Sequence, residues 1–180
     1  MSLAVDTTAL REAPPYIDRP VGARATPSFE RRLSKATFEA AGAGGYLSLI
    51  SAGIDNFATM AWRDGPTAER CEERICKALE RELRWSGAFL TRLGLGQFGI
   101  IVPDADRATV WTLAERLVGG VERLQLAHPA ARGSRLSLSA GVATSHGRWD
   151  MDGMALWVVA EHAQQCAVAR GGRCAATSAQ

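Results

Sequence analysis

Residues 88–103 read AFLTRLGLGQFGIIVP, two short apolar runs on either side of Gly94-Leu95-Gly96. Apolar runs separated by a glycine-containing turn are typical of a β-hairpin, and Pro103 marks the end of the second strand because proline cannot donate a hydrogen bond to a sheet. The stretch also spells G-x-G-x-x-G, the glycine pattern of dinucleotide-binding folds. That pattern holds a pyrophosphate only where it joins a strand to the N-terminus of a helix. Here the glycines lead into another strand, so the sequence predicts a hairpin turn and not a dinucleotide site.

The segment YLSLISAGI at residues 46–54 has apolar side chains at both odd and even positions. Leu47 and Leu49 would lie on one face of a strand, and Ile50 and Ile54 on the other. A strand that is buried on both faces lies inside a sheet and not at its edge. We therefore expect this segment to form the centre of the sheet.

The segment RLSLSAGVAT at residues 135–144 alternates leucine, alanine and valine with serine, glycine and a second alanine. Such alternation is typical of a strand with one face on the core and the other towards solvent. The sequence therefore predicts a further strand here, with a single buried face.

Apolar residues at helical spacing, each series with a capping residue nearby, predict the helices. The first starts at Ser28, with Ser28 or Thr26 as its N-cap, and ends at the glycines of residues 42–45. The others are a short helix after Phe57 and three longer helices that begin near Asp64, Asp106 and Met154.

The chain has 180 residues, which suits one domain with a short extension because domains average about 150 residues. Residues 1–27 hold four of the seven prolines and no apolar period, which predicts a flexible N-terminal arm. We expect a single domain over residues 28–174 and a disordered tail over residues 175–180.

The composition excludes several classes of protein. A net charge of +2 is too small to indicate a nucleic-acid partner, and no apolar run reaches the roughly 18 residues that a membrane span needs. No apolar signal-peptide core is visible, so we expect a cytoplasmic protein. The four cysteines include no C-x-x-C pair and predict buried or unreactive thiols, not a metal site. They are Cys71, Cys76, Cys166 and Cys174.

Residues 88–103 resemble the signature hairpin of the GGDEF family, in which an arginine precedes Gly-Gly-Asp/Glu-Glu-Phe and an apolar strand that ends at proline. Arg92, Gly94 and Phe98 match this pattern. Three consecutive positions depart from it, where the family has its second glycine, an acidic residue and a glutamate: Leu95, Gly96 and Gln97.

Two further segments are similar to the same family. Residues 49–57, LISAGIDNF, resemble its strand that ends in D-x-D-x-F: Asp55 and Phe57 match, and Gly53 replaces the first aspartate. Residues 136–144 resemble its strand VTVSIGVA. The order and spacing of these segments agree with the family over nearly the whole globular part of the chain.

The resemblance implies an α+β fold, the palm of nucleotidyl cyclases, with a central five-stranded, mostly antiparallel sheet wrapped by helices. It also implies a chemistry. Active members of the family join two GTP molecules into cyclic di-GMP across a homodimer interface, and Mg²⁺ ions held by carboxylates support the phosphoryl transfer.

The resemblance places the family's metal-binding carboxylates at Gly53 and Gly96, which have no side chains. Asp55 is the only residual candidate for binding Mg²⁺. We therefore expect no catalytic residue in the vestigial hairpin Gly94-Leu95-Gly96-Gln97-Phe98 and no cofactor, with Mg²⁺ relevant only to a residual cyclase activity.

The positions that would read guanine fall at Ala61 and near Arg70, and the family's product-sensing Arg-x-x-Asp motif falls at residues 85–88, Trp-Ser-Gly-Ala. These residue types cannot supply the family's contacts. Arg92 and Arg116 can equally be ordinary surface arginines. If a guanine nucleotide still binds, the residues implied to contact it are Asp55, Asn56, Phe57, Arg92, Arg116 and Arg173.

Five tryptophans are many for this length, and we expect most of them in the core. Trp62 and Trp111 are the two that we consider for a partner surface.

Three functions remain open at this point. The loss of both metal ligands favours a catalytically inactive, GGDEF-like regulatory and protein-interaction module in bacterial cyclic di-GMP signalling. The alternatives are a receptor for GTP or cyclic di-GMP and a weak diguanylate cyclase. For the first function, the expected partner is an unidentified protein or a second copy of this chain, with neither a nucleic acid nor a membrane span.

Overall fold

The computed structural model of the chain describes residues 25–128, 134–147 and 152–177. Most of the predicted N-terminal arm, residues 1–24, lies outside these ranges, as does Trp149. The described helices and strands follow one another as α1 (Pro27–Ala43), β1 (Tyr46–Ile54), α2 (Phe57–Arg63), α3 (Gly65–Leu83), β2 (Phe89–Gly94), β3 (Gln97–Pro103), α4 (Arg107–Arg123), β4 (Leu138–His146), α5 (Gly153–Ala169) and β5 (Ala175–Thr177).

Helices α1, α3 and α4 begin at capping residues that the sequence marks. Thr26, and not Ser28, caps α1: its hydroxyl accepts a hydrogen bond from the Phe29 N–H at 3.2 Å, and Pro27 is the first helical residue. Asp64 and Asp106 cap α3 and α4, and the hydrogen bonds that they accept from threonines three residues later hold the pKa of both carboxyls below its ordinary value. No helix in the three described ranges is long and apolar enough to cross a bilayer.

The five strands form one sheet in the order β2-β3-β1-β4-β5, with β1 at the centre as predicted. The pairs β1–β3, β1–β4 and β2–β3 are antiparallel, and β4–β5 is parallel. The hairpin at residues 88–103 therefore supplies β2 and β3. This mostly antiparallel five-stranded sheet with its helices confirms the predicted α+β class.

The prediction of a disordered tail from residue 175 is wrong for the first three residues. Ala175–Thr177 form β5, whose Cα partners are Ala140–Val142 of β4. Three residues are too few to show an alternating pattern, and parallel pairing is fixed by contacts that the local sequence does not display. The domain thus extends past residue 174, and residues 178–180 lie outside the described part of the chain.

The sheet separates two apolar clusters. Ile50, Ala52 and Ile54 of β1 face α3 and α4, whereas Leu47 and Leu49 face α1 and α5. The two faces of β1 therefore carry the side chains that the pattern assigns to them.

The expectation that β4 buries one face is also wrong. Residues 138–143 are all buried, and the second face lies under α5. Gly141 allows the close approach, because a Cβ at this position would overlap the backbone of α5 at Ala160 and Gln164. Serine and glycine on this face make it look solvent-facing in the sequence, although small residues also suit a tightly packed helix–sheet contact.

Most tryptophans do not lie in the core. Trp157 is fully buried, and its ring centroid lies 4.6 Å from that of Phe29, edge to face. Trp85 and Trp62 are 89% and 53% exposed, and Trp111 is partly buried. The prediction that most tryptophans lie in the core is therefore wrong, because only Trp157 of the four described tryptophans is fully buried.

Candidate functional site

The residues that carry the family resemblance meet at the C-terminal end of β1. Gly53 pairs with Gln97 of β3 on one side and with Ser139 of β4 on the other. The backbone N–H of Ile54 donates to the carbonyl of Gly96 at 2.9 Å, which ties the hairpin turn to this strand end. We call the group formed by Gly53, Asp55, Gly96, Gln97 and Gln164 the β1-end cluster.

The space beside Gly53 is occupied by two glutamine amides. A Cβ at this position would overlap the side-chain amides of Gln97 and Gln164. Gln164 Nε2 donates to Gln97 Oε1 at 3.1 Å, and Gln164 Oε1 accepts from the Ser51 hydroxyl at 2.7 Å. Gln164 and Ser51 are buried, so these hydrogen bonds satisfy polar groups that solvent does not reach. A neutral amide network therefore stands at the position where the family resemblance implies a carboxylate.

The space beside Gly96 is also occupied. Gly96 adopts a φ of +73°, and a Cβ built there would lie 2.5 Å from Cγ of Phe57. Leu95, the preceding turn residue, also has a positive φ, +52°. A carboxylate side chain at position 96 would require both a strained backbone and displacement of the Phe57 ring.

Asp55 is held by two serine hydroxyls. Ser137 Oγ donates to Oδ2 and Ser139 Oγ donates to Oδ1, both at 2.6 Å, and the backbone N–H of Arg173 donates to Oδ2 at 3.2 Å. Each carboxylate oxygen is thus already an acceptor, and the hydrogen bonds join β1 to β4 and to the loop before β5.

Glu72 is a buried residue of this region that the sequence analysis missed. Its Oε1 accepts a hydrogen bond from the Gly96 N–H at 3.3 Å, and its Oε2 lies 3.4 Å from Nη2 of Arg92. Glu72 lies three and seven residues before Ile75 and Leu79, on the apolar stripe of α3. A carboxylate on such a stripe is the signal that identifies it, because buried acids need a partner.

The structure brings together some of the residues that the resemblance implies for nucleotide binding. Asp55 belongs to the β1-end cluster, and Phe57 lies against its Gly96. Arg92 pairs with Glu72, which bonds to the N–H of Gly96. Asn56 is exposed, with a φ of +56°, and makes no side-chain capping hydrogen bond to α2.

The other two implied residues have partners of their own. Arg116 of α4 pairs with Glu82 of α3 at 3.2 Å and belongs to a different part of the surface. Arg173 contributes its backbone N–H to Asp55, and its guanidinium lies 3.6 Å from Glu122.

The residues of the β1-end cluster do not fit a magnesium site. Magnesium prefers carboxylate and other oxygen ligands in an octahedral arrangement. At this strand end the Asp55 carboxylate is held by serines, the Glu72 carboxylate is held by the Gly96 N–H and Arg92, and the two amides bond to each other. In the described ranges no group of three His, Cys, Asp or Glu side chains is placed to hold a metal ion.

Helix α3 also carries two buried thiols. Burial raises the pKa of both Cys71 and Cys76. The neighbouring Glu80 carboxylate raises the pKa of Cys76 further. Both thiols therefore stay protonated near neutral pH and are weak nucleophiles.

No protein-family model matches the sequence, and a search of curated proteins finds no match. The fold, however, is similar to that of solved GGDEF domains. The GGDEF domain of DgcB from Caulobacter crescentus, in complex with c-di-GMP, superposes with a TM-score of 0.73 at 20% identity, covering 83% of this chain and 87% of that chain. The active GGEEF domain of a diguanylate cyclase from Vibrio cholerae gives a TM-score of 0.70 at 22% identity, with 83% and 94% covered.

A third solved structure contains a protein partner. Diguanylate cyclase SiaD from Pseudomonas aeruginosa, in complex with its activator SiaC, gives a TM-score of 0.73 at 18% identity, covering 88% of this chain and 63% of that chain. These similarities confirm the GGDEF-like fold that the hairpin and the neighbouring strands predict.

Proposed function

We propose that this chain, a domain with the GGDEF fold, is a catalytically inactive regulatory module that acts by protein–protein interaction in bacterial cyclic di-GMP signalling. The context is supported by the structural relatives, of which one is bound to c-di-GMP and another to an activator protein. We place its action in the cytoplasm and assign it no cofactor.

The observation that carries the proposal is the occupied space at positions 53 and 96. Joining two triphosphates requires divalent metal ions to neutralise the developing charge, and those ions need carboxylate ligands from the protein. Here the amides of Gln97 and Gln164 occupy the space beside Gly53, and the Phe57 ring lies against Gly96. This packing supports the proposal, because a carboxylate side chain at either position would have to displace its neighbours.

The remaining acid does not replace the two that are missing. Both oxygens of Asp55 accept short hydrogen bonds from serines, so a metal ion would have to compete with these donors. With Gly53 and Gly96 unable to contribute, the loss of two ligands is expected to cost several kcal/mol of transition-state stabilisation, about tenfold in rate for each 1.4 kcal/mol.

The experiment is an assay of the full chain with GTP and either Mg²⁺ or Mn²⁺. Products are resolved by chromatography, and the active GGEEF domain of Vibrio cholerae serves as the positive control. We expect no cyclic di-GMP from this chain and, by calorimetry, no heat of binding with GTP or cyclic di-GMP.

Two results would overturn the proposal in distinct ways. Cyclic di-GMP formation that is lost in Asp55→Ala would show a weak diguanylate cyclase. Saturable binding of GTP or cyclic di-GMP without turnover would instead show a nucleotide receptor.

A further inference from the structure

A groove of about 660 Å³ runs along the free edge of the sheet. Its walls come from both helical layers: Ser28 and Arg32 belong to α1 on one face of the sheet, and Cys76 and Glu80 belong to α3 on the other. Strand β2 lies between them, because residues 89–92 also line the groove. Since helices of opposite layers border the same groove, its floor is the edge of the sheet itself.

Strand β2 has an unprotected edge. It is the outermost strand on this side, and no described residue pairs with it from outside. Natural edge strands are usually blunted by lysines, prolines, bulges or very short length. In β2, with the sequence FLTRLG, the register of pairing with β3 shifts after Arg92, so Phe89–Arg92 form a regular segment. The one charged residue of this segment, Arg92, already pairs with Glu72.

The groove carries an excess of positive charge. Arg32, Arg84 and Arg92 line it together with one exposed acid, Glu80. Arg92 has its own partner in Glu72, whereas neither Arg32 nor Arg84 forms a salt bridge with a described residue. Beside this open strand edge, two guanidinium groups without a salt bridge face one acid, and this excess of positive charge is complementary to carboxylates.

Exposed aromatic rings flank the same edge. Phe89 is 47% exposed, with the Arg32 guanidinium 5.4 Å from its ring centroid, and Trp85 in the turn before β2 is 89% exposed. Tryptophan and arginine are the residue types that most often dominate the binding energy of protein interfaces. Exposure of this extent also costs solubility, which a bound partner would offset.

We propose that this groove is the docking site for an acidic, extended segment of a partner protein, which pairs with Phe89–Arg92 as a sixth strand. Backbone hydrogen bonds to β2 would supply affinity. Arg32 and Arg84 come from opposite faces of the sheet, so they would select two carboxylate side chains an odd number of residues apart, one on each face of the added strand. The inference rests on the proposed function, since it names the surface through which an interaction module acts.

The test is selection of a displayed library of random linear decapeptides on the full chain. We expect the enriched peptides to carry Asp or Glu at two positions an odd number of residues apart, among β-branched or aromatic residues. Their binding should weaken by about tenfold or more in the Arg32→Glu/Arg84→Glu variant, because each charge-assisted contact is lost. The matched control is Arg31→Glu/Arg81→Glu, which makes the same charge change on the same two helices but outside the groove.

A second measurement separates strand addition from simple charge attraction. An enriched peptide is synthesised with N-methyl groups at alternate residues, which removes the backbone donors and leaves the side chains intact. We expect binding to be lost when the methylated nitrogens are those that face β2, and to be kept when they are those that face away from β2. Hydrogen exchange of the amides of residues 89–92 should slow only with the peptide that binds.

Any of four results overturns the proposal. They are failure to enrich any peptide, enrichment of peptides without acidic residues, equal loss of binding in the groove and control variants, and displacement of a bound peptide by cyclic di-GMP, which would assign the groove to a nucleotide. None of these results depends on the GTP assay, so the interaction surface and the absence of catalysis are tested separately.

Discussion

Gly141 and Gly53 lie on neighbouring central strands, both buried and both without room for a Cβ, but what surrounds them differs. At Gly141 the obstacle is the backbone of α5, whereas at Gly53 it is the free ends of two glutamine side chains. The first glycine is therefore a requirement of helix–sheet packing. The second lies among the movable ends of side chains from distant elements, so its surroundings can still adjust.

Gly141→Ala is expected to have the largest effect, a loss of about 3 kcal/mol or more in the free energy of unfolding, because α5 would have to shift as a whole. Urea denaturation with an unchanged m-value measures it. Gly42→Ala is the control, since a Cβ there meets nothing within 4 Å and an alanine in a helix is about 0.5–1 kcal/mol more favourable than glycine. Equal stability of Gly141→Ala and the wild type would remove the distinction between the two regions.

Asp55→Ala is expected to cost about 2 kcal/mol, because Ser137 and Ser139 would lose their acceptor in a buried setting. Asp55→Asn keeps one acceptor oxygen and should cost less. A double-mutant cycle with Ser139→Ala should give a clear coupling energy in urea denaturation. Additive losses would mean that the carboxylate does not hold these strands together.

Gly53→Ala is expected to cost only about 1 kcal/mol, less than the same substitution at Gly141, because the glutamine ends can move. In a background of Gln97→Ala and Gln164→Ala this penalty should disappear. A penalty that persists in that background would show that backbone, and not the amide network, excludes a side chain from position 53.

Leu95→Gly is expected to have the smallest effect, a gain of about 0.5 kcal/mol, since glycine adopts the positive φ of the hairpin turn without the cost that leucine bears. Thermal unfolding of this variant is compared with that of Leu95→Ala, which retains a Cβ and should show no gain. A gain in both variants would point to the exposed leucine side chain, not to the backbone.

Elements with a local signal were predictable from the sequence. The central position of β1 follows from apolar residues at consecutive positions, and the hairpin follows from two apolar runs around glycines. The second buried face of β4 was not predictable from the sequence, because its residues are small or polar. Strand β5 was not predictable because three residues are too few to display an alternating pattern.

The candidate site was only half visible in the sequence. Spacing directed attention to Gly53 and Gly96, but it did not reveal which side chains lie beside them. Gln164 reaches Ser51 across 113 positions and Gln97 across 67. Contacts at such separations depend on how α5 packs on the sheet, which a linear motif does not encode.

The two edges of the sheet also differ in how many backbone groups they offer to an outside strand. In the described part of the chain, β5 offers only three residues at one edge of the sheet, whereas β2 offers a longer row of unpaired backbone groups at the other edge. Pairing with a strand from outside is therefore expected on the β2 side of the sheet.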